Sequence, residues 1–508
     1  MTENKRETFF KRASFAFIVL FSFFAMVYAL LTPTGPVGES EDYMITTIAL
    51  QNRMSIFITQ EDIEQSWTDY PEYAGYFYQD RTLFTTKDGQ MISAYFPTYS
   101  LAALPMKIAL KRLYLNQSYA FALTNVLCYI IAMAVVYKCL RRPAWQVFVT
   151  LLFVALNPAF YYLTWPESEV FIYAFVVMSL VFFSNRQYKR AALFVSIAGT
   201  LNVCIMGYGA VIILAYAMDK YERPTRSLGR NLLFSIRKNA GDCALLVLCF
   251  IPSVVPVALN YALFGGPVSM MYTVDMRDYW GRFAAYLFDL NLGLAGYFPV
   301  LLLLMALLTI WAALKRQAQT PLLFAGFLLT VAWYSITYHI NCGMIAISRY
   351  GAWTSPLVFF CILAALPLLS SRRARTAISC ALVLSTCVTA VLTAANRSTG
   401  WLTMGRPASA VLTKAPALYN PLYTTFITRV SGEFCTYTYE RPTAFVTNRG
   451  YVTKVLANAD TAQEAERMLA SATQEGQQKL DGAIERLKSS EGLIYLNFSE
   501  ADQVTLVP

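Results

Sequence analysis

Charge is scarce in this 508-residue chain: Asp, Glu, Lys and Arg make up 14% of it, against about 25% in soluble globular proteins. With 56% hydrophobic residues, a single water-soluble domain is disfavoured, because too little polar surface remains to cover the apolar side chains. Histidine is nearly absent, His339 standing alone, which excludes a multi-histidine metal site. Ten cysteines are present, but no Cys-x-x-Cys pair or Cys/His metal spacing. Seven of them (Cys128, Cys204, Cys243, Cys249, Cys361, Cys380 and Cys387) lie inside apolar runs, where cysteine acts as a small hydrophobe rather than half of a disulfide framework.

Long apolar runs are there instead, separated by short basic clusters. Runs of about 18 to 23 residues match helices crossing a hydrocarbon core about 30 Å thick. The first, Ala13–Leu31, follows Lys5, Arg6, Lys11 and Arg12 and so resembles a signal peptide. It is too long for one, and Thr32-Pro33-Thr34-Gly35 is a poor cleavage site, so an uncleaved span is expected. Further spans are expected near 119–137, 145–163, 168–184, 242–264, 293–314, 319–338, 351–370 and 376–395. The 28-residue run 191–218, interrupted by Gly199, Gly207 and Gly209, reads as two short helices meeting within the membrane, a break tolerated only where protein surrounds it.

Basic residues stay on the cytoplasmic side of a membrane. Placing the N-terminus and the connections 138–144, 185–190, 219–241, 315–316 and 371–375 there collects 21 Lys and Arg, whereas the first outer loop, 32–96, holds Arg53, Arg81 and Lys87 against ten acidic residues. The net charge of +10 is therefore a topology signal, and a nucleic-acid partner is not expected. Residues 97–113, with Pro105 and Lys107 inside, are either a second span or a juxtamembrane helix on the outer surface; the charge count favours the latter. The expected architecture is an all-α polytopic membrane protein of about eleven transmembrane helices over 1–395, followed by a small extracytoplasmic α+β domain over 396–508. Within the latter, strands are expected at Thr443–Thr447, Tyr451–Leu456 and Leu493–Phe498. A helix is expected to start at a Thr461-x-x-Glu464 capping box and to carry Met468, Leu469, Leu480, Ile484 and Leu487.

Four groups in the outer loops are able to carry chemistry. Glu39-Ser40-Glu41-Asp42-Tyr43 follows the first span; carboxylates there serve as a general base toward a hydroxyl or hold a divalent cation against a phosphate, unless the cluster is merely a solvated acidic loop. Asn157-Pro158 is followed by Glu167-Ser168-Glu169. Acids at the mouth of a helix pair are functional candidates, although an ordinary helix N-terminal turn also favours them; Glu169 fits either role, and Glu167 fits the turn. The loop 265–292 holds Asp275, Arg277, Asp278, Arg282, Asp289 and Asn291, the last two being equally able to cap the next helix. Finally, His339, Asn341 and Ser348-Arg349-Tyr350 precede a span. An arginine there is placed to clamp a phosphate or to snorkel, and a lone histidine is more often structural.

The order of these features resembles the GT-C superfamily of integral-membrane glycosyltransferases, the class of the protein mannosyltransferases and the aminoarabinose transferase of lipid A. The segments that carry the resemblance are Gly38-Glu39-Ser40-Glu41-Asp42-Tyr43 after the first span, then Asp88-Gly89, Tyr95-Phe96-Pro97-Thr98-Tyr99-Ser100-Leu101, Asn157-Pro158 with Glu169, Phe288-Asp289-Leu290-Asn291-Leu292-Gly293 with Tyr297 and Pro299, and Arg349-Tyr350 with Pro356. They run from 38 to 356. The usual Asp-Glu pair of the first loop is replaced by Glu-Ser-Glu-Asp, so the base stays open among Glu39, Glu41 and Asp42, and the second proline and glycine common after Pro97 are absent. The resemblance implies transfer of a sugar from a polyprenyl-phosphate-linked donor to a hydroxyl of a glycan, lipid or protein at the outer face of the cytoplasmic membrane, with inversion. Asp42, Glu41 or Glu39 is then the catalytic base, Arg349 with help from Arg277, Arg282 or His339 stabilises the departing phosphate, Glu169 and Asp289 orient the acceptor or hold a metal, and Tyr350, Asn291 and Asp88 bind substrate. A divalent cation such as Mg or Mn is an open possibility. A transporter or flippase of lipid-linked sugars is the alternative class, expected to show internal repeats and midplane charges; a sensor or scaffold is the third.

Overall fold

The computed structural model describes residues 3–32, 40–71, 83–222, 224, 227–266, 276, 278–336, 347–395, 402–432, 439 and 441–507. The chain divides into two compact units, one of 1–274, 300–337 and 352–391 and the other of 275–299, 338–351 and 392–508.

The first unit is built of helices. Among the described residues of the chain, five helices are long and apolar enough to cross a membrane: Asn4–Leu31, Tyr119–Cys139, Val203–Lys220, Arg349–Leu368 and Arg372–Ala395. A sixth counts if Ala240–Cys249 and Ile251–Phe264, bent by 55°, form one span. Ala144–Ala155, Glu169–Ser184, Pro299–Leu314 and Gln319–Tyr334 are apolar but shorter. Each expected run thus contains a helix, yet by length and composition the total falls short of eleven spans. The run 145–163 shows why. Its helix stops at Ala155 and a 3-10 turn, Pro158–Tyr162, follows, because Pro158 has no N–H to continue the ladder and pushes Asn157 out of the helical region.

The broken run 191–218 is a helix Tyr188–Gly199, a 3-10 turn Val203–Ile205 and a helix Met206–Lys220. Close backbone approach accounts for the glycines. A Cβ on Gly207 would lie 2.7 Å from backbone atoms of Leu329 and Thr330, and one on Gly199 2.7 Å from Met206 Sδ. The neighbouring bend at Phe250 is satisfied by protein: Ser253 N donates to Ser196 Oγ at 2.9 Å, as the membrane interior requires.

Basic segments meet at one end of this unit. Glu7 accepts from Ala144 N at 3.2 Å, and Asn185 bonds both Cys139 O and Arg141 N. Arg186 pairs with Asp219 at 3.4 Å and Lys189 with Asp242 at 2.7 Å. Elsewhere the helix Thr98–Arg112 is 15 residues long, about 22 Å, too short for the hydrocarbon core. Its Lys107 is fully buried and donates to Asp69 at 2.5 Å and to Gln51 at 2.6 Å. Both features fit the juxtamembrane reading.

The first unit also holds a small antiparallel sheet in the order Phe57–Ile58, Met91–Ser93, Leu83–Thr85, and the second unit carries two more. Thr443–Val446, Val452–Ala457 and Ile494–Asn497 form an antiparallel sheet in that spatial order, and Leu469–Ser471 pairs with Val504–Leu506. The three expected strands are present. The expected single helix is not: Ala462–Met468 ends where Leu469 enters a strand, and Gln474–Lys488 starts afresh with Thr473 Oγ1 accepting from Gly476 N. The capping box also differs, since Thr461 makes no side-chain cap to its own helix and instead closes a box with Asn458. Leu480, Ile484 and Leu487 pack with Val452, Val455 and Leu496 in the core.

Candidate functional site

In the first unit two of the expected acidic groups come together. The helix Ser40–Arg53 places Glu41 and Asp42 in its first turn, and the helix Glu169–Ser184 places Glu169 in its own. Tyr43 joins them: its hydroxyl donates to Ser168 Oγ at 3.2 Å across 125 residues of sequence. Asp42 is completely buried and Glu167 and Glu169 are 2% exposed. A solvated acidic loop is therefore not what these residues form. Glu41 is half-buried, and burial pushes its carboxyl up from 4.5 to about 7, although the helix N-terminus favours the anion.

The aromatic segment before the Thr98–Arg112 helix supports this turn. Ser100 Oγ donates to Tyr43 O at 2.9 Å, and the rings of Tyr99 and Tyr95 lie 5.2 and 5.4 Å from that of Tyr43. Tyr99 donates to Asn125 Oδ1 at 2.9 Å, while Asn125 Nδ2 donates to the carbonyls of Leu163 and Trp165. Asn125 thereby holds the strand of chain that leads to Glu167. It was not among the expected residues, though a single amide inside the apolar run 119–139 is the kind of residue that marks a site. Asn157 caps the 3-10 turn through Ala159 N and donates to Ser355 Oγ at 2.8 Å, so the Asn-Pro motif shapes the approach to the acids.

Asp88 stands apart from this cluster. It is exposed in the turn of the hairpin Leu83–Thr85/Met91–Ser93, where Gly89 takes a positive φ of 77°. Asp-Gly at this position is explained by turn chemistry.

In the second unit Asp289 and Asn291 build a latch. Asp289 Oδ1 accepts from Asn291 N and Leu292 N at 2.8 and 3.1 Å, and its Oδ2 accepts from the Tyr419 hydroxyl at 2.7 Å. Asn291 Nδ2 donates to Tyr419 Oη at 2.7 Å, and its Oδ1 accepts from Gly405 N at 2.8 Å. Arg429, buried and held below its ordinary value by that burial, faces the same cluster electrostatically and donates to Thr403 O at 3.0 Å. Asp289 Oδ1 thus closes its own turn, while Asp289 Oδ2 and the Asn291 amide fasten that turn to Gly405 and Tyr419. Arg349 opens a helix with its guanidinium 5.5 Å from the Tyr350 ring centroid, and Ser348 N donates to Leu292 O at 3.2 Å. Glu39, Asp275, Arg277, His339 and Asn341 lie outside the described residues.

Among the described residues, no group of three or more His, Cys, Asp or Glu side chains is arranged to hold a metal ion.

No protein family matches the sequence, and no curated protein does. A solved structure, the archaeal oligosaccharyltransferase AglB from Archaeoglobus fulgidus in complex with an inhibitory peptide and a dolichol-phosphate, matches with a TM-score of 0.43 and 9% identity over 78% of this chain. The match spans 57% of that protein's length.

Proposed function

We propose that the chain is an integral-membrane glycosyltransferase that moves a sugar from a polyprenyl-phosphate-linked donor to an acceptor hydroxyl at the outer face of the cytoplasmic membrane. The observation that supports this reading best is the buried meeting of Glu41-Asp42 with Glu167-Ser168-Glu169 through Tyr43, one carboxyl of which titrates near neutrality. A base with such a value is half ionised at working pH and is suited to taking a proton from an alcohol.

In the proposed reaction the acceptor oxygen attacks the anomeric carbon, its proton passes to Asp42 or Glu41, and the bond from that carbon to the phosphate oxygen breaks with the electrons leaving on the lipid phosphate. Attack opposite the departing phosphate inverts the anomeric centre. Glu169 orients the acceptor, and Arg349 is proposed to stabilise the phosphate charge. Asp289 and Asn291, by their bonding, act as positioning residues rather than substrate ligands. Asp42→Asn or Glu41→Gln, whichever removes the base, and Arg349→Ala should lower sugar transfer from a labelled polyprenyl-phosphate-sugar by about tenfold or more. Three well-expressed variants that all transfer normally would defeat the mechanism.

The flippase alternative draws on one observation, the interrupted helices at 199–206 and 249–251, since transporters use discontinuous helices. The two breaks are joined by Ser196 and Ser253, hydroxyl residues rather than ionisable ones, and the carboxylates gather elsewhere. Reconstituted vesicles separate the two: a flippase moves the labelled lipid unchanged, and a transferase consumes it.

A further inference from the structure

The helix Leu228–Lys238 in the longest basic connection has its sides reversed relative to a helix of a soluble protein. At about 100° per residue, Asn231 and Ser235 share one side, and that side is buried, with relative exposures of 3% and 5%. Ser235 Oγ accepts from Glu222 N at 2.9 Å, and Asn231 Nδ2 donates to the Tyr221 hydroxyl at 3.4 Å. The rest of the circumference carries Leu232, Leu233 and Ile236, which are 46 to 49% exposed, with Phe234 at 43%. Arg230 and Arg237 fall between Leu233 and Phe234 on that exposed surface, and Lys238 pairs with Glu222 at 2.7 Å. Polar groups thus face protein and apolar groups face outward, an arrangement that water does not favour and a lipid interface does.

Charge settles which interface suits it. The connection 219–241 carries six Lys and Arg against Asp219 and Glu222, and arginines beside an apolar stripe sit at the depth of lipid headgroups. We propose that the Leu228–Lys238 helix lies in the membrane surface and binds anionic phospholipid headgroups through Arg230 and Arg237. The proposal rests on the reading that the chain spans a membrane, and not on the glycosyltransferase reading.

The test is amide hydrogen exchange over 228–238 in the full-length protein, held in nanodiscs of phosphatidylcholine alone or with phosphatidylglycerol. Exchange should be slower in the anionic discs, and high salt or Arg230→Gln/Arg237→Gln should abolish the difference. Each arginine is expected to contribute about fivefold in lipid affinity. Equal exchange in the two lipids, or a difference that survives both salt and the double substitution, overturns the proposal. Failure of the wild-type protein to enter discs at all overturns the membrane reading beneath it, which keeps the two failures apart.

Discussion

Glu41 offers a test that needs no substrate. Burial raises its carboxyl from 4.5 to about 7, so between those values the folded protein holds a proton that the unfolded chain has released. Stability then falls as pH rises through that window and levels off above it. A shift of this size corresponds in full to about 3 kcal/mol, but the side chain is only partly buried, and solvent screening reduces that to ~1.5 kcal/mol. Glu41→Gln keeps the shape and removes the charge. In mild detergent the variant and wild type should have the same thermal midpoint at pH 4, where both side chains are neutral. The variant should be the more stable by ~1.5 kcal/mol at pH 8. A difference that does not grow with pH, or a variant less stable at pH 8, refutes the burial of this carboxyl. If the same group is the base, wild-type sugar transfer rises with pH through about 7, and that limb vanishes in the variant.

Three other substitutions probe the scaffold around the acids and the latch. Lys107→Met strands Asp69, which is 8% exposed, and should cost about 3–5 kcal/mol, most of it recovered when Asp69→Asn is added; a double-mutant cycle in thermal midpoint reads it. Tyr419→Phe removes the donor to Asp289 Oδ2 and should destabilise by about 1–3 kcal/mol, with proteolysis of the 403–429 region accelerating in step. Gly293→Ala brings a Cβ to 2.5 Å from Asp289 N; the backbone must move, and about 1–3 kcal/mol of stability should be lost in the same melting assay.

Much of the helical layout was legible because apolar runs and glycine breaks act locally. Gly199, Gly207 and Gly209 mark an interruption that the structure places between Gly199 and Met206. Two expectations failed where a local signal met a stronger partner. The span expected over 145–163 stops short at Ala155, before Asn157-Pro158. Leu469 fitted a helical stripe, but pairing of Leu469–Ser471 with Val504–Leu506 outweighs helix propensity. Strand pairing joins residues some 35 positions apart, which no periodicity within 461–487 reveals.

The candidate site divides along the same line. The acids at 41–42 and 167–169 were visible as residue types at helix starts, but not as neighbours, since the Tyr43–Ser168 bond spans 125 residues. What the geometry adds is a difference in kind among carboxylates that look alike in sequence. Asp88 is exposed at a hairpin tip, Asp289 has both oxygens committed to the latch, and Asp42, Glu167 and Glu169 are buried beside one another's segments. Burying an acid costs several kcal/mol unless it is neutralised or bonded. Asp42→Asn keeps the size of a fully buried side chain and removes its carboxyl, so under the proposed reaction sugar transfer should fall while the melting temperature stays unchanged or rises. Loss of both together would make Asp42 a structural residue.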